Sequence, residues 1–264
     1  MAANSSSAKV WEHILEEAHV LGDRPVVCVG AGDLVAKFLH DCSIASESVK
    51  EFGFQPIGTE SIKQELSLLG LRMEDTTDVT RHAHRIIVVQ ADQVDETGGE
   101  DAIWFITGRG FNGPQTSPVD LQALEVALAS CSRVIILTAG EEAGRLGGGL
   151  PVVIEGDEVE WEEIAEEVDD LFVTDAEITR RSNREDANTR GVPDPVIGET
   201  RDGTPTMTLD LTFYEGLQLM GEEVPYAMLQ QSLKSTPGVV VSGLFGVERN
   251  RAIVVRWRET DADM

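Results

Sequence analysis

The strongest constraint on the fold lies near the end of the chain, between residues 206 and 257. Residues 206–213 (TMTLDLTF) are β-branched or aromatic at many positions and alternate in polarity, which predicts a half-buried strand. Pro225 begins a predicted helix, because proline is favoured in a helical first turn. Thr236-Pro237-Gly238 ends that helix, and residues 239–241 (VVV) extend again. This segment therefore predicts a strand–helix–strand unit, and residues 252–257 predict a last strand.

The first 150 residues alternate between short apolar runs and amphipathic stretches. Helices are predicted at 8–20, 34–39, 62–69 and 121–128, and strands at 26–29, 85–89, 102–106 and 133–137. In the first helix Val10, Ile14, Leu15 and Ala18 are predicted to share one buried face. The apolar strand 26–29 is typical of a parallel sheet covered on both sides. The pattern predicts an α/β fold with a doubly wound, mostly parallel sheet.

A change in character after Leu150 predicts a smaller inserted α+β (ferredoxin-like) subdomain. Residues 155–170 are dense in acid and predict a short helix with a solvated face, and residues 180–203 predict a loop or long hairpin connection. We expect residues 1–150 and 245–258 to form the α/β domain and residues 151–244 to form the subdomain. Residues 259–264 are expected to be a frayed tail.

The charge balance limits the classes of partner. Lys and Arg number 21 against 47 Asp and Glu, which gives a net charge of −26. Such a surface repels nucleic-acid phosphates and anionic lipid, so we expect no nucleic acid and no membrane insertion. Two explanations of the acidity remain open: adaptation to a salt-rich cytoplasm, and docking on a basic partner.

The three cysteines, Cys28, Cys42 and Cys131, are scattered and form no C-x-x-C pair. This usage fits an intracellular, reducing compartment, either the cytoplasm or an organellar matrix or stroma. His82 and His84 are spaced to share one face of a strand, but no cysteine or third histidine lies close to them in sequence, so we expect no metal. We also expect no cofactor.

The C-terminal segment resembles type A ribose-5-phosphate isomerase. The matching motifs are Pro237-Gly238-Val239-Val240 and Gly243-Leu244-Phe245, and the weaker resemblance elsewhere covers residues 24–40 and 58–92. It implies an α/β domain with a smaller lid, a tendency to self-associate, and a site built from four loops at the carboxyl ends of strands.

The resemblance assigns phosphate and sugar binding to several loop positions. Gly30 and Gly32 keep the glycines of a strand-to-helix turn, but Asp33 replaces a hydroxyl residue and is predicted to be an N-cap. The other binding positions implied are Thr59, Gly108 and Gly110.

The resemblance also implies where catalytic groups would lie. The family's Asp-Gly-Ala-Asp-Glu run corresponds to residues 89–93, where Asp92 remains while Val89 and Gln93 replace the other two acids. Arg109 lies close to the position of the family's loop lysine, and Glu125 lies one residue from the position of its base. Such a shift rotates a side chain by about 100° on a helix.

The fourth loop, residues 139–142 (AGEE), has acids where the family has a lysine. Loss of several such groups together leaves little activity. The first hypothesis is therefore an isomerase-like protein that has lost most catalytic residues and serves as a structural or interaction subunit of a larger assembly, or as a homo-oligomer. Two alternatives remain: a divergent isomerase of ribose 5-phosphate and ribulose 5-phosphate that uses Asp92, Arg109 and Glu125, and a sugar-phosphate sensor.

Overall fold

A computed structural model of the chain describes residues 5–21, 26–45, 49, 51–58, 60–74, 85–97, 101–108, 117–139, 145–156, 161–172, 175–181, 197–200, 203–220 and 222–257. The helices are α1 (Ser5–Leu21), α2 (Asp33–Ala45), α3 (Glu60–Leu68), α4 (Pro118–Ser130), α5 (Trp161–Phe172) and α6 (Tyr226–Ser235). The strands are β1 (Val26–Val29), β2 (Gly53–Pro56), β3 (Arg85–Gln90), β4 (Gln93–Asp95), β5 (Ala102–Ile106), β6 (Arg133–Thr138), β7 (Leu150–Glu155), β8 (Ala176–Arg180), β9 (Ile197–Glu199), β10 (Pro205–Phe213), β11 (Val239–Ser242), β12 (Leu244–Glu248) and β13 (Ala252–Arg256).

The central sheet is parallel and covered on both faces, as the sequence predicts. Its strand order is β13-β6-β3-β1-β2, and every neighbouring pair is parallel. Residues alternate between the two faces of each strand, so Val27 packs with α1, α2 and α3, while its neighbour Cys28 packs with α4. The carboxyl ends of these strands therefore meet at one edge, where open α/β sheets bind ligands.

The described residues form two further sheets, and both are antiparallel. One has the order β11-β7-β10-β8, with β9 paired to β10, and the other has the order β12-β5-β4. The sequence pattern predicts β5 as a strand of the parallel sheet, but it pairs antiparallel with β12 and β4. The physical reason is the short connection between β4 and β5, since a parallel neighbour needs a crossover of a dozen or more residues.

Helix α1 buries a narrower face than the sequence predicts. Val10 and Ile14 are fully buried and Ala18 is partly buried against the same core, but 41% of Leu15 is exposed. Leu15 follows Ile14 directly, so its side chain is rotated by about 100° from the buried row.

The C-terminal unit agrees closely with its sequence pattern. In β10, Met207, Leu209 and Leu211 pack against α5 and α6, whereas Thr206 and Asp210 belong to the alternate set. Pro225 is the residue that precedes α6, and β13 lies beside β6. Among the described residues, no helix has the length and apolar character that a membrane crossing requires.

Candidate functional site

The candidate site lies at the carboxyl edge of the parallel sheet, and we call it the strand-end site. It comprises the turn 30–34 after β1, Gly58 after β2, residues 90–92 at the end of β3, Gly108 after β5 with Arg181, which contacts it, and Asp120 in the first turn of α4. Backbone hydrogen bonds hold these ends together: the Gly30 amide donates to the Val88 carbonyl at 3.0 Å, and the Asp92 amide to the Ile106 carbonyl at 2.8 Å.

The turn after β1 is occupied by a side chain from β3. Gly32 has φ +137°, and a Cβ placed on it would overlap the side chain of Gln90. The Oε1 atom of Gln90 accepts a hydrogen bond of 2.8 Å from the Leu34 amide in the first turn of α2. Gln90 thus satisfies one of the amides that a bound anion would use at this helix end.

Asp33 is not the N-cap that the sequence suggests. It is the first residue of α2, and the Gly32 carbonyl accepts the first intrahelical hydrogen bond from the Ala36 amide at 3.0 Å. Gly32 therefore holds the capping position, and the Gln90 carboxamide supplies the side-chain acceptor. The Asp33 carboxylate still adds negative charge to the helical first turn.

The run 89–93 has largely structural contacts. Val89 is buried in the core between β3 and α4. Asp92 is half-buried at the strand-end site. The Oε1 atom of Gln93 accepts a hydrogen bond from the Gly147 amide at 2.8 Å, so this side chain positions the segment before β7.

Asp95 also stabilises the segment before β7, through Tyr226. Its Oδ2 atom accepts a hydrogen bond of 2.9 Å from the Tyr226 hydroxyl, which in turn accepts one from the Leu146 amide at 3.0 Å. Burial, reinforced by the hydrogen bond to Asp95, raises the pKa of Tyr226 to about 12. The phenol is therefore neutral at physiological pH and acts as a structural bridge between β4, α6 and the segment before β7.

The structure places Glu125 beside α6. The Glu125 carboxylate lies 2.5 Å from Nζ of Lys234, and its neighbour Leu124 is buried in the core. Both Glu125 and Lys234 are partly exposed, so the pair is a surface ion pair of modest strength.

Asp120 is an acid at the strand-end site that the sequence analysis missed. It is only 6% exposed, and a Cβ on Gly58, which has φ +94°, would overlap its carboxylate. The Ser117 hydroxyl accepts a hydrogen bond of 3.2 Å from the Asp120 amide and caps α4. The signal was present in the sequence, because Ser-Pro-x-Asp is a typical helix start.

Arg181 is a second residue that the sequence analysis missed. Its side chain is 3% exposed, and its guanidinium makes a bidentate pair with Asp210 of β10, with Nε donating to Oδ2 at 2.9 Å. Its NH1 group also donates to the Gly108 carbonyl at 3.1 Å. Arg181 thereby joins the antiparallel sheet to the loop after β5. No sequence signal marks it, since it adjoins a uniformly polar stretch.

Several predicted site residues lie outside the described part of the chain. These are Thr59, Arg109 and Gly110, together with Glu141 and Glu142. Of the predicted residues that are described, Gly30, Gly32, Asp92 and Gly108 lie at the strand-end site, while Glu125 is engaged with α6.

The described part of the site is rich in carboxylates. Asp33, Asp92 and Asp120 come from three different elements at the same edge of the sheet. Carboxylates can transfer protons, but their charge disfavours a sugar phosphate unless cations neutralise it. The described cation of the site, Arg181, is already paired with Asp210.

No protein-family model matches the chain, and no curated protein matches it. Several solved structures do match the chain. A D-ribose-5-phosphate isomerase in complex with phospho-erythronic acid has a TM-score of 0.64 at 18% identity, over 95% of this chain and 93% of that chain. Ribose 5-phosphate isomerase A from Methanocaldococcus jannaschii has a TM-score of 0.61 at 16% identity, over 91% of both chains. The isomerase from Plasmodium falciparum has a TM-score of 0.61 at 18% identity, over 89% and 88%.

These similarities extend over nearly the whole chain. At such low identities they establish the fold, which is that of ribose-5-phosphate isomerase A, and this confirms the fold expected from the resemblance of residues 206–257.

Proposed function

We propose that this chain is an isomerase-fold protein without isomerase activity, which serves as a structural or interaction subunit of a larger protein assembly. The observation that carries this proposal is the Gln90 carboxamide at the first turn of α2. A ligand phosphate at this turn would have to displace a hydrogen bond that the protein makes with itself, in the neighbourhood of the Asp33 carboxylate.

Three further features support the loss of catalysis. Val89 is a buried core residue at the place where the resemblance implies an acid. Glu125 is paired with Lys234 instead of extending from α4 as a free base. The sequence also carries Glu141 and Glu142 where the resemblance implies a lysine. Each loss of an electrostatic or proton-transfer group typically lowers a rate by two or more orders of magnitude.

A second candidate is a divergent isomerase, and Asp120 is the observation that favours it. Asp120 is buried beside Gly58 at the edge where half-buried Asp92 also lies. A buried acid at a helix start and a second acid between β3 and β4 provide two groups for proton transfer. In this alternative Asp120 takes the role that the sequence analysis gives to Glu125.

The deciding experiment is a coupled assay of ribose 5-phosphate conversion to ribulose 5-phosphate, with calorimetric titration of phospho-erythronic acid in parallel. We expect no turnover above that of Asp92→Asn and Asp120→Asn variants, and no binding. Turnover that either variant abolishes would overturn the proposal in favour of the divergent isomerase. Binding without turnover would instead identify a sugar-phosphate sensor, the third function that the sequence analysis leaves open.

A further inference from the structure

A long groove runs between α1 and the C-terminal part of α2, away from the strand-end site. Its volume is about 660 Å³, and its lining is predominantly apolar. Along α1 the lining extends from Ser7 to His19, which corresponds to about 18 Å at the helical rise of 1.5 Å per residue. This length matches about three turns of a second helix.

The floor of the groove is built from apolar side chains. Trp11 is half-buried and packs edge-on against Phe52 with ring centroids 4.9 Å apart, which fixes its ring in place. Leu15 lies one turn further along α1 and is 41% exposed. Cys42 of α2 contributes to the opposite wall. The result is an apolar strip along a helix, a surface that amphipathic helices recognise.

The rim of the groove is acidic. Glu12 and Glu16 are exposed and lie one turn apart on α1, so they flank the apolar strip on the same side. Asp41 lines the α2 side, where Ser7 donates a hydrogen bond of 2.6 Å to its Oδ2 atom. An occupant that complements this rim carries positive charge beside an apolar row.

Resting on the proposed function as an interaction subunit, we propose that the α1–α2 groove binds a cationic amphipathic helix of a partner protein. The partner helix lays Leu-like side chains on Trp11 and Leu15 and directs Lys or Arg towards Glu12, Glu16 and Asp41. The net charge of −26 attracts such a helix from a distance, while the groove supplies the specific contact.

The test uses the full chain and a labelled helical peptide of about twelve residues, made of Leu at the i, i+3, i+4, i+7 spacing and Lys elsewhere. A peptide of the same composition in scrambled order is the control for diffuse charge attraction. Fluorescence anisotropy should show binding of the patterned peptide that is at least about tenfold tighter than that of the scrambled one. Equal binding of the two peptides would overturn the proposal.

Matched variants locate the binding surface. The charge reversal Glu12→Lys/Glu16→Lys should weaken binding about tenfold, whereas Glu162→Lys/Glu166→Lys on exposed positions of α5 should change it less than about twofold. Leu15→Ser should likewise weaken binding, and Leu68→Ser, at a position 87% exposed on α3, should leave it unchanged. Equal losses from the groove variants and their controls would contradict the groove as the site.

Sedimentation of the chain alone tests the competing occupant. If the wild type self-associates and Leu15→Ser or Glu12→Lys/Glu16→Lys makes it a monomer, the groove holds a second copy and the proposal is wrong. The isomerase assay described above does not depend on the groove. Failure of peptide binding would therefore leave the proposed loss of catalysis standing, and turnover would overturn that loss without affecting the groove.

Discussion

The strand-end site and the α1–α2 groove are two candidate binding surfaces of the protein, but they differ in what occupies them. At the strand-end site, Gln90 occupies the helix start that would hold an anion, and Arg181 is paired with Asp210. The groove remains open over about 660 Å³, with Leu15 exposed on its floor. Among the described residues, the helix start at the edge where open α/β sheets usually bind ligands is therefore occupied by the protein's own side chain, whereas the groove is not filled in this way.

The largest expected effect concerns the buried ion pair between Arg181 and Asp210. Arg181→Met removes the partner of Asp210, whose side chain is 15% exposed, and leaves a carboxylate in a largely buried position. We expect a loss of about 3–5 kcal/mol in the free energy of unfolding, measured by urea denaturation.

The control for this prediction is Arg72→Met. Arg72 pairs with Glu74 but is itself 61% exposed, so its removal should cost less than about 1 kcal/mol. Similar losses for the two variants would show that the Arg181 pair contributes no more than a surface pair.

The second prediction concerns the pH dependence of stability that the buried thiols of Cys28 and Cys42 produce. Burial raises the pKa of Cys28, on the α4 side of the sheet, and of Cys42, in the groove wall, to about 12 in each case. Above about pH 9 the unfolded chain releases these protons while the folded chain retains them, so stability falls as pH rises. Each thiol should contribute about 1.4 kcal/mol per pH unit to this fall.

The measurement is the pH dependence of the unfolding free energy between about pH 9 and 11. Cys28→Ala and Cys42→Ala should each reduce the slope by about one proton. An unchanged slope in Cys42→Ala would mean that water reaches this thiol through the groove.

The third prediction concerns a variant that should make the turn after β1 available to anions. Gln90→Gly removes the acceptor of the Leu34 amide and should cost about 1–2 kcal/mol, the effect of losing a cap and adding a strand glycine. The vacated turn should then bind inorganic phosphate, so the Tm of this variant should rise with phosphate while that of the wild type does not.

Gln90→Glu is the matched variant, because it keeps an acceptor of the same shape and adds a negative charge. It should retain the stability of the wild type and gain nothing from phosphate. Absence of a phosphate effect in Gln90→Gly would show that Gln90 is not what closes this turn to anions.

The smallest expected effect concerns the groove. Leu15→Ser should lower the unfolding free energy by only about 0.5–1 kcal/mol, because the side chain is already 41% exposed. A loss comparable to that of a buried leucine, about 2–5 kcal/mol, would mean that Leu15 belongs to the core and that the groove is closed in solution.

Most of the fold could be predicted from the sequence because local patterns and global packing agree. The alternation in 206–213 and the apolar runs of β1 and β3 correspond to strands whose burial matches the pattern. The error at β5 arose because an apolar strand of five residues looks the same in a parallel and in an antiparallel sheet. Only the short connection between β4 and β5 indicates that the pairing is antiparallel.

The candidate site could be predicted less well, since it depends on contacts between distant residues. Gln90 reaches Leu34 across 56 positions, and Arg181 reaches Gly108 across 73. Neither contact produces a periodic pattern of residues in the sequence. Asp120 was predictable from the helix start at Ser117, but its closeness to Gly58 was not, since that depends on how α4 packs against the end of β2.

The position of β13 has a consequence for how the protein folds during translation. Val134 of β6 pairs with Ala252, roughly 120 residues later, so the edge of β6 stays without its neighbour while the intervening residues are translated. An unpaired strand edge is a template for association with other chains. A chain whose synthesis stops before Ala252 therefore has a nearly finished sheet with an unpaired edge, and we expect it to be a substrate for chaperones rather than a smaller version of the protein.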